Sequence, residues 1–176
     1  MRKIIFKKIK LLCFIILWVA VLLITLKIVV NWLYHRGYFI TYQATTSMPK
    51  GFYFISPAKV LYKGDIVLFR PPDEIVRFLI EEKWLPKSGL MLKYVFALSG
   101  DYVCQDKKWI YINHHRVAPI YNEYAHGKKI PNSYFCGKLA KNQYLLMSIQ
   151  VKRSFDGRYF GPVDRTRIIG VAKYLF

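Results

Sequence analysis

Two side chains in this sequence have types and settings that admit covalent chemistry, Ser47 and Lys93. Ser47 lies in Ala44-Thr45-Thr46-Ser47-Met48-Pro49-Lys50-Gly51. Pro49 fixes φ and bars a regular helix or a central strand, and Gly51 adds freedom two residues later, so the serine hydroxyl is presented on a turn. Such a hydroxyl is either an ordinary turn group or, given a base, a nucleophile. Lys93 lies in the apolar run Leu90–Leu98, where strand alternation places it on one face with Met91, Val95 and Ala97. Lysine is rarely buried without a partner, so this position is either an edge residue that snorkels or a functional amine. The four histidines are poorer candidates. His114 and His115 are neighbours that point to opposite faces, with no acid or cysteine at ligand spacing, and read as a solvated turn rather than a metal site. His126 falls in a Gly-Lys-Lys loop.

The elements around these residues are mostly short strands. Phe52–Ile55, Ile66–Phe69, Leu90–Leu98, Tyr102–Cys104, Trp109–Val117 with a turn over 113–116, Tyr144–Met147 and Ile168–Ala172 are rich in aromatic and branched residues and end in Gly, Pro, Asp or Ser. Residues 119–142 read as irregular and turn-rich. Between the strands, apolar residues at 75, 76, 79, 80 and 84 have helical spacing behind Asp73, which predicts a helical insertion over 73–85 that either flanks a groove or simply packs. The fold class expected is mainly β, a sandwich or open barrel.

Residues 11–31 are a different kind of element. A twenty-residue apolar helix spans roughly 30 Å, the thickness of a hydrocarbon core, and Lys27 near one end can snorkel. Arg2, Lys3, Lys7, Lys8 and Lys10 precede it without an acid, so the positive-inside rule predicts a basic cytoplasmic tail over 1–10, a transmembrane anchor over 11–31 and an exported domain over 32–176. Trp32, Tyr34, Tyr38 and Phe39 read as an interfacial aromatic belt. No small-residue cleavage site follows, which favours a retained anchor over a removed signal. Six of the 28 basic residues lie in 1–30, leaving 22 against 10 acids in the remainder. That surplus suits anionic lipid as a partner, and no nucleic-acid module accompanies it. Cys13 lies in the span, while Cys104 and Cys136 lie in the exported part, where a disulfide between them can form.

The order of these motifs resembles the type I signal peptidases, membrane-anchored serine proteases. The resemblance rests on one span followed by Ser47-Met48-Pro49, Lys63-Gly64-Asp65-Ile66-Val67, Lys93 ahead of Leu98-Ser99-Gly100-Asp101, and Ser154-Phe155-Asp156-Gly157-Arg158-Tyr159-Phe160-Gly161-Pro162. It covers roughly residues 40–173. Within the family the sequence is most similar to the conjugative-transfer, TraF-type branch, which processes pilin precursors and some of whose members help join the subunit's ends. Two departures weigh against a general secretory role. Met147-Ser148-Ile149-Gln150 stands where Gly-Asp-Asn is usual, and Asp156-Gly157-Arg158 replaces Asp-Ser-Arg.

The resemblance implies a signal-peptidase-like barrel, Ser47 as nucleophile and Lys93 as general base. A lysine base must be neutral, which requires its pKa to fall by two or three units from about 10.4, a cost of about 3 to 4 kcal/mol. Desolvation beside Met91, Val95 and the membrane surface is the expected cause. The Ser47 amide and the Thr45 hydroxyl match the oxyanion donors, Thr45 being otherwise a turn-stabilising group. Ser154 matches the serine that orients the lysine, and Asp156 with Arg158 is expected to brace the loop as an ion pair. No metal or nucleotide is required. The substrate implied is an exported precursor, most directly a conjugative pilin, bound as an extended strand with shallow pockets for small side chains, in the inner membrane near the transfer machinery. The alternatives are a general signal peptidase and an inactive, membrane-tethered assembly module. The presence of both Ser47 and Lys93 argues against the inactive module.

Overall fold

The computed structural model describes residues 2–121, 130–131 and 133–176; His126 lies outside them. The chain divides into two units, Met1–Tyr38 and Phe39–Phe176. The first is helix α1, Arg2–His35. It runs past 31 because no Pro or Gly occurs before Gly37, which takes a φ of 84° just beyond the helix and lets the chain turn out of it. Within α1, Ile9–His35 is long and apolar enough to cross a membrane.

The second unit holds two antiparallel sheets. Strands β1 (Phe39–Gln43), β2 (Gly51–Ser56), β3 (Ile66–Phe69), β4 (Met91–Ala97), β9 (Gln143–Met147), β10 (Val163–Asp164) and β11 (Ile168–Tyr174) form the larger, in the order β1-β2-β11-β3-β4-β9-β10. The smaller has the order β7-β6-β5-β8, from β5 (Tyr102–Gln105), β6 (Trp109–Ile112), β7 (His115–Pro119) and β8 (Cys136–Lys138). The short strand β8 lies within the stretch read as irregular. Its three residues carry little strand signal of their own, and it forms by pairing with β5, where Cys104 faces Cys136 and the two are disulfide-bonded. Phe39, read as part of an interfacial belt, instead opens β1 opposite Ile55 and packs on buried sheet residues. The β6–β7 turn is tighter than 113–116: Asn113 and His114 both have positive φ, the geometry of a two-residue hairpin turn.

Two apolar clusters explain the alternation along β3 and β4. Val67, Phe69, Val95 and Ala97 belong to the larger cluster, whereas Leu68 and Leu92 join Met48, Tyr53, Ile55 and Ala172 in the smaller. These central strands are therefore covered on both sides.

Helix α2 covers Asp73–Glu81 and buries Ile75, Val76 and Leu79. It is shorter than the 73–85 expected. The amides of Lys83 and Trp84 return to the carbonyls of Ile80 and Leu79, closing a Schellman cap with Lys83 at φ 59°. A non-glycine residue in that region costs about 1 kcal/mol. The cap turns Trp84 back against Phe78, with ring centroids 5.5 Å apart.

Candidate active site

Ser47 lies in the connection between β1 and β2, residues 44–50. Three contacts hold that connection. Met48 is buried in the smaller cluster, and its Sδ accepts a hydrogen bond from Ser148 Oγ at 3.0 Å. Tyr53 donates its hydroxyl to the Pro49 carbonyl at 2.8 Å. Gly51 has φ 144°, and a Cβ there would come 2.3 Å from the Phe176 carbonyl oxygen, so no larger residue fits beneath the C-terminal strand. With Met48 drawn inward and Pro49 barring a continuous strand, the preceding Ser47 stays at the surface, half-buried.

Residues 45–48 bend and turn away from the end of β1, and hydrogen bonds bring Gln43, Thr45 and Ser47 together. Gln43 Nε2 donates to Thr45 Oγ1 at 2.6 Å and to the Thr45 carbonyl at 3.0 Å. Thr45 Oγ1 lies 3.2 Å from Ser47 Oγ. Having accepted from Gln43, the threonine hydroxyl keeps its own hydrogen for a further acceptor. The Ser47 backbone N–H has no acceptor among the described residues. Two donors thus flank the serine oxygen. Gln43 was not singled out from the sequence, although the alternating Gln-x-Thr-x-Ser spacing carries the signal.

Lys93 lies on β4, between β3 and β9, opposite Val67. It has no solvent exposure, so it is no edge residue that snorkels. Its Nζ donates to Ser154 Oγ at 2.9 Å. Its pKa is pushed down to about 8, chiefly by burial; Asp156 opposes the shift and Arg158 adds to it. The protein interior itself supplies the desolvation, with no need of the membrane surface invoked from the sequence.

Ser154 is fixed by the block that follows it. Asp156 caps the short helix α3, Gly157–Phe160, by accepting from the Arg158 amide. Its carboxylate also accepts from Arg158 Nε at 2.8 Å, Arg158 Nη2 at 2.9 Å and the Ser148 amide at 3.0 Å. The Arg158 guanidinium donates in addition to the carbonyls of Pro119, Ser148, Lys152 and Ser154. Both side chains are fully buried. One ion pair therefore ties four stretches of chain together, including the residue that holds the lysine. Gly157 lets α3 sit on β9, since a Cβ would approach the Leu146 carbonyl oxygen to 2.8 Å.

Thr45, Ser47, Lys93 and Ser154 all line one cleft of about 420 Å³. Among the described residues the hydrogen bonds fall into two groups, Gln43–Thr45–Ser47 and Lys93–Ser154, and none joins Ser47 Oγ directly to Lys93 Nζ. The Cys104–Cys136 bond lies in the smaller sheet, and neither cysteine lines the cleft. Among the described residues no group of His, Cys, Asp and Glu is arranged to hold a metal ion.

The chain is similar to known proteins along most of its length. The family model described as Signal peptidase, peptidase S26 matches residues 8–176. The plasmid transfer protein TraF of Escherichia coli is 36% identical over 138 residues, 70% of this chain and 75% of that protein. Signal peptidase I V of Bacillus subtilis (strain 168) is 25% identical over 123 residues, 64% of this chain and 65% of that one. A crystal structure of a signal peptidase I from Enterococcus faecalis aligns with a TM-score of 0.38 at 20% identity, covering 64% of this chain and 97% of the other. The family match takes in both halves of the cleft and every strand around it, and this chain accordingly belongs to the signal peptidase family, peptidase S26, with its likeness to the TraF-type, conjugative-transfer branch.

Proposed function

We propose that this protein is a membrane-anchored serine endopeptidase that removes leader peptides from exported precursors, with Ser47 as nucleophile and Lys93 as general base. The observation that carries the reading is a solvent-excluded lysine, held by Ser154, on the wall of the cleft that Ser47 also lines. Near and above pH 8 a substantial share of this amine is neutral. The reaction requires the Ser47 hydroxyl to leave Thr45 and hydrogen-bond to this amine across the cleft that both line.

Lys93 then takes the hydroxyl proton as Ser47 Oγ attacks the scissile carbonyl carbon. The Ser47 amide and the Thr45 hydroxyl receive the oxyanion. The Lys93 ammonium returns the proton to the departing amine, leaving an ester on Ser47. Water, deprotonated by the same amine, completes hydrolysis.

The substrate strand has edges to pair with. Among the described residues β1 pairs only with β2, and β9 pairs with β4 from Tyr94 onward, leaving Met91–Lys93 open on that side. An extended peptide laid between them gains main-chain hydrogen bonds beside Ser47.

Helix α1 anchors the enzyme in the inner membrane, with the basic tail cytoplasmic and the β unit exported. Anionic headgroups attract the basic β unit. Likeness to a plasmid transfer protein supports a role in conjugative transfer, with the transfer machinery as a partner and, as the TraF-type resemblance implies, a conjugative pilin as substrate. Leader cleavage of a pilin precursor and of an ordinary secretory precursor by the full chain in detergent tests the assignment. Cleavage of the pilin precursor, abolished in Ser47→Ala and in Lys93→Ala, is expected. Undiminished cleavage by either variant rejects the dyad, and cleavage of the secretory precursor alone rejects the conjugative role.

A further inference from the structure

The charge lining the cleft is one-sided. Among the described residues three cations line it, Lys83, Lys93 and Arg153, and no Asp or Glu does so. Lys93 is interior and engaged with Ser154. Lys83 and Arg153 are exposed, and among the described residues neither forms an ion pair with a carboxylate.

Several described carboxylates are engaged elsewhere. Asp156 is held by Arg158, Asp101 by Lys63, and Asp73 by Arg70 and Arg167. Glu81 and Glu82 precede Lys83 in sequence but do not line the cleft. The two exposed cations also have defined positions. Lys83 occupies the left-handed cap of α2, where glycine is the undemanding choice. Arg153 adjoins Ser154 and lies over the Tyr121 ring, 5.4 Å from its centroid, a contact that leaves the guanidinium edge free to donate.

A cleft lined by exposed cations, with no acid among its described lining residues, attracts anionic groups. A peptide in that cleft has one common anionic group to offer, a carboxylate. We propose that Lys83 and Arg153 form a carboxylate-reading subsite, so that the preferred peptide bears an Asp or Glu side chain, or a chain-terminal carboxylate, within a few residues of the bond presented to Ser47. This rests on the cleft being the peptidase site and adds a specificity to it.

Binding to the full-length Ser47→Ala protein in detergent tests the subsite without turnover. The probes are short fluorescent peptides with an Ala-x-Ala core, carrying Glu or Gln at successive positions on either side, each made with a free or an amidated C-terminus. At low salt, at least one carboxylate form is expected to bind about tenfold tighter than its uncharged counterpart, with the preference shrinking at high salt. The position and the terminus that respond separate a side-chain carboxylate from a terminal one. Adding Lys83→Gly and Arg153→Gln is expected to bring that ratio to within about twofold of unity, and Arg153→Lys to restore part of it. Glycine also suits the positive φ at 83, so an undiminished thermal midpoint for Lys83→Gly separates loss of charge from loss of fold. Equal binding of all the peptides, or a preference that survives both substitutions, overturns the proposal. A preference in binding together with no cleavage of any peptide by the unsubstituted chain leaves the subsite standing and removes the peptidase reading instead.

Discussion

Lys93 Nζ and Ser154 Oγ lie 2.9 Å apart inside the protein, both buried, and the hydrogen bond between them fixes where the amine points. Rotation of a lysine side chain by one rotamer moves its nitrogen by more than the reach of a hydrogen bond. Ser154→Ala should therefore lower kcat by about a hundredfold, the usual penalty for misplacing a reacting group by about 1 Å, with KM little changed. Ser154→Thr, which keeps the hydroxyl, should recover part of the loss. Single-turnover cleavage by the two variants checks this. Equal loss in both would mean that packing, not the hydroxyl, matters.

Arg158 and Asp156 form a fully buried ion pair at 2.8 Å whose remaining donors hold backbone carbonyls. Removal of one partner leaves an uncompensated charge and several unmatched carbonyls, so Arg158→Met and Asp156→Asn should each destabilise by about 3 to 5 kcal/mol. Urea unfolding of the variants measures it. A change below about 1 kcal/mol, the range of exposed pairs, would show that the pair is not the brace described.

Burial of Lys93 makes stability depend on pH with a definite sign. Unfolded, the lysine holds its proton up to its ordinary 10.5, and folded it releases it at about 8. Between these values the unfolded chain binds more protons, so the free energy of unfolding rises with pH, and the burden of carrying the ammonium inside is greatest below 8. The gap of roughly 2.5 units corresponds to about 3 kcal/mol. Lys93→Met should stabilise the protein most below about pH 8, and its advantage should shrink toward pH 10. Burial pushes Tyr53 up to about 12 and also raises Tyr159, which acts in the opposite sense above about pH 10, so the comparison belongs between pH 7 and about 9.5. A pH-independent difference between the two proteins would contradict the assignment.

Cys104 and Cys136 are 32 residues apart in sequence and face each other across β5 and β8. By loop-closure entropy their bond should contribute about 3 to 4 kcal/mol. Thermal unfolding of the Cys104→Ser, Cys136→Ser protein, or of the unaltered protein under reductant, should show a lower midpoint. Since neither cysteine lines the cleft, the surviving folded fraction should keep its cleavage rate. An unchanged midpoint would place this contribution near zero.

Much of the site can be read in the sequence because its signals are local. Pro49 and Gly51 announce a bend that presents Ser47, and Lys93 stands out as one ammonium in an apolar strand. What it does there is not local. Its burial depends on β3 and β9 pairing on either side of β4, contacts that join residue 67 to 93 and residue 95 to 146, and no window of sequence contains them. Arg158 shows the same limit: the Asp156–Arg158 spacing suggests a pair, but the carbonyls it gathers come from Pro119, Ser148, Lys152 and Ser154. The role of Met48 is equally hidden, since it packs with Tyr53, Ile55, Leu68, Leu92 and Ala172, which come from four different strands. The end of α2 was placed four residues late because apolar Trp84 continues the helical spacing. In the structure it meets Phe78 through a reversed cap rather than a further turn. Strand β8 exists through its partner and the Cys104–Cys136 bond, so composition alone reads it as loop.

The account depends on a neutral Lys93 amine activating Ser47, and the pH dependence of precursor cleavage tests that most directly. For the full chain, kcat/KM should climb about tenfold per pH unit below the lysine's value and level off above it, with the break near 8. Lys93→Ala should lose the break together with the activity. A flat profile between about pH 6 and 9, or a Lys93→Ala protein that cleaves the precursor with the break intact, would contradict it.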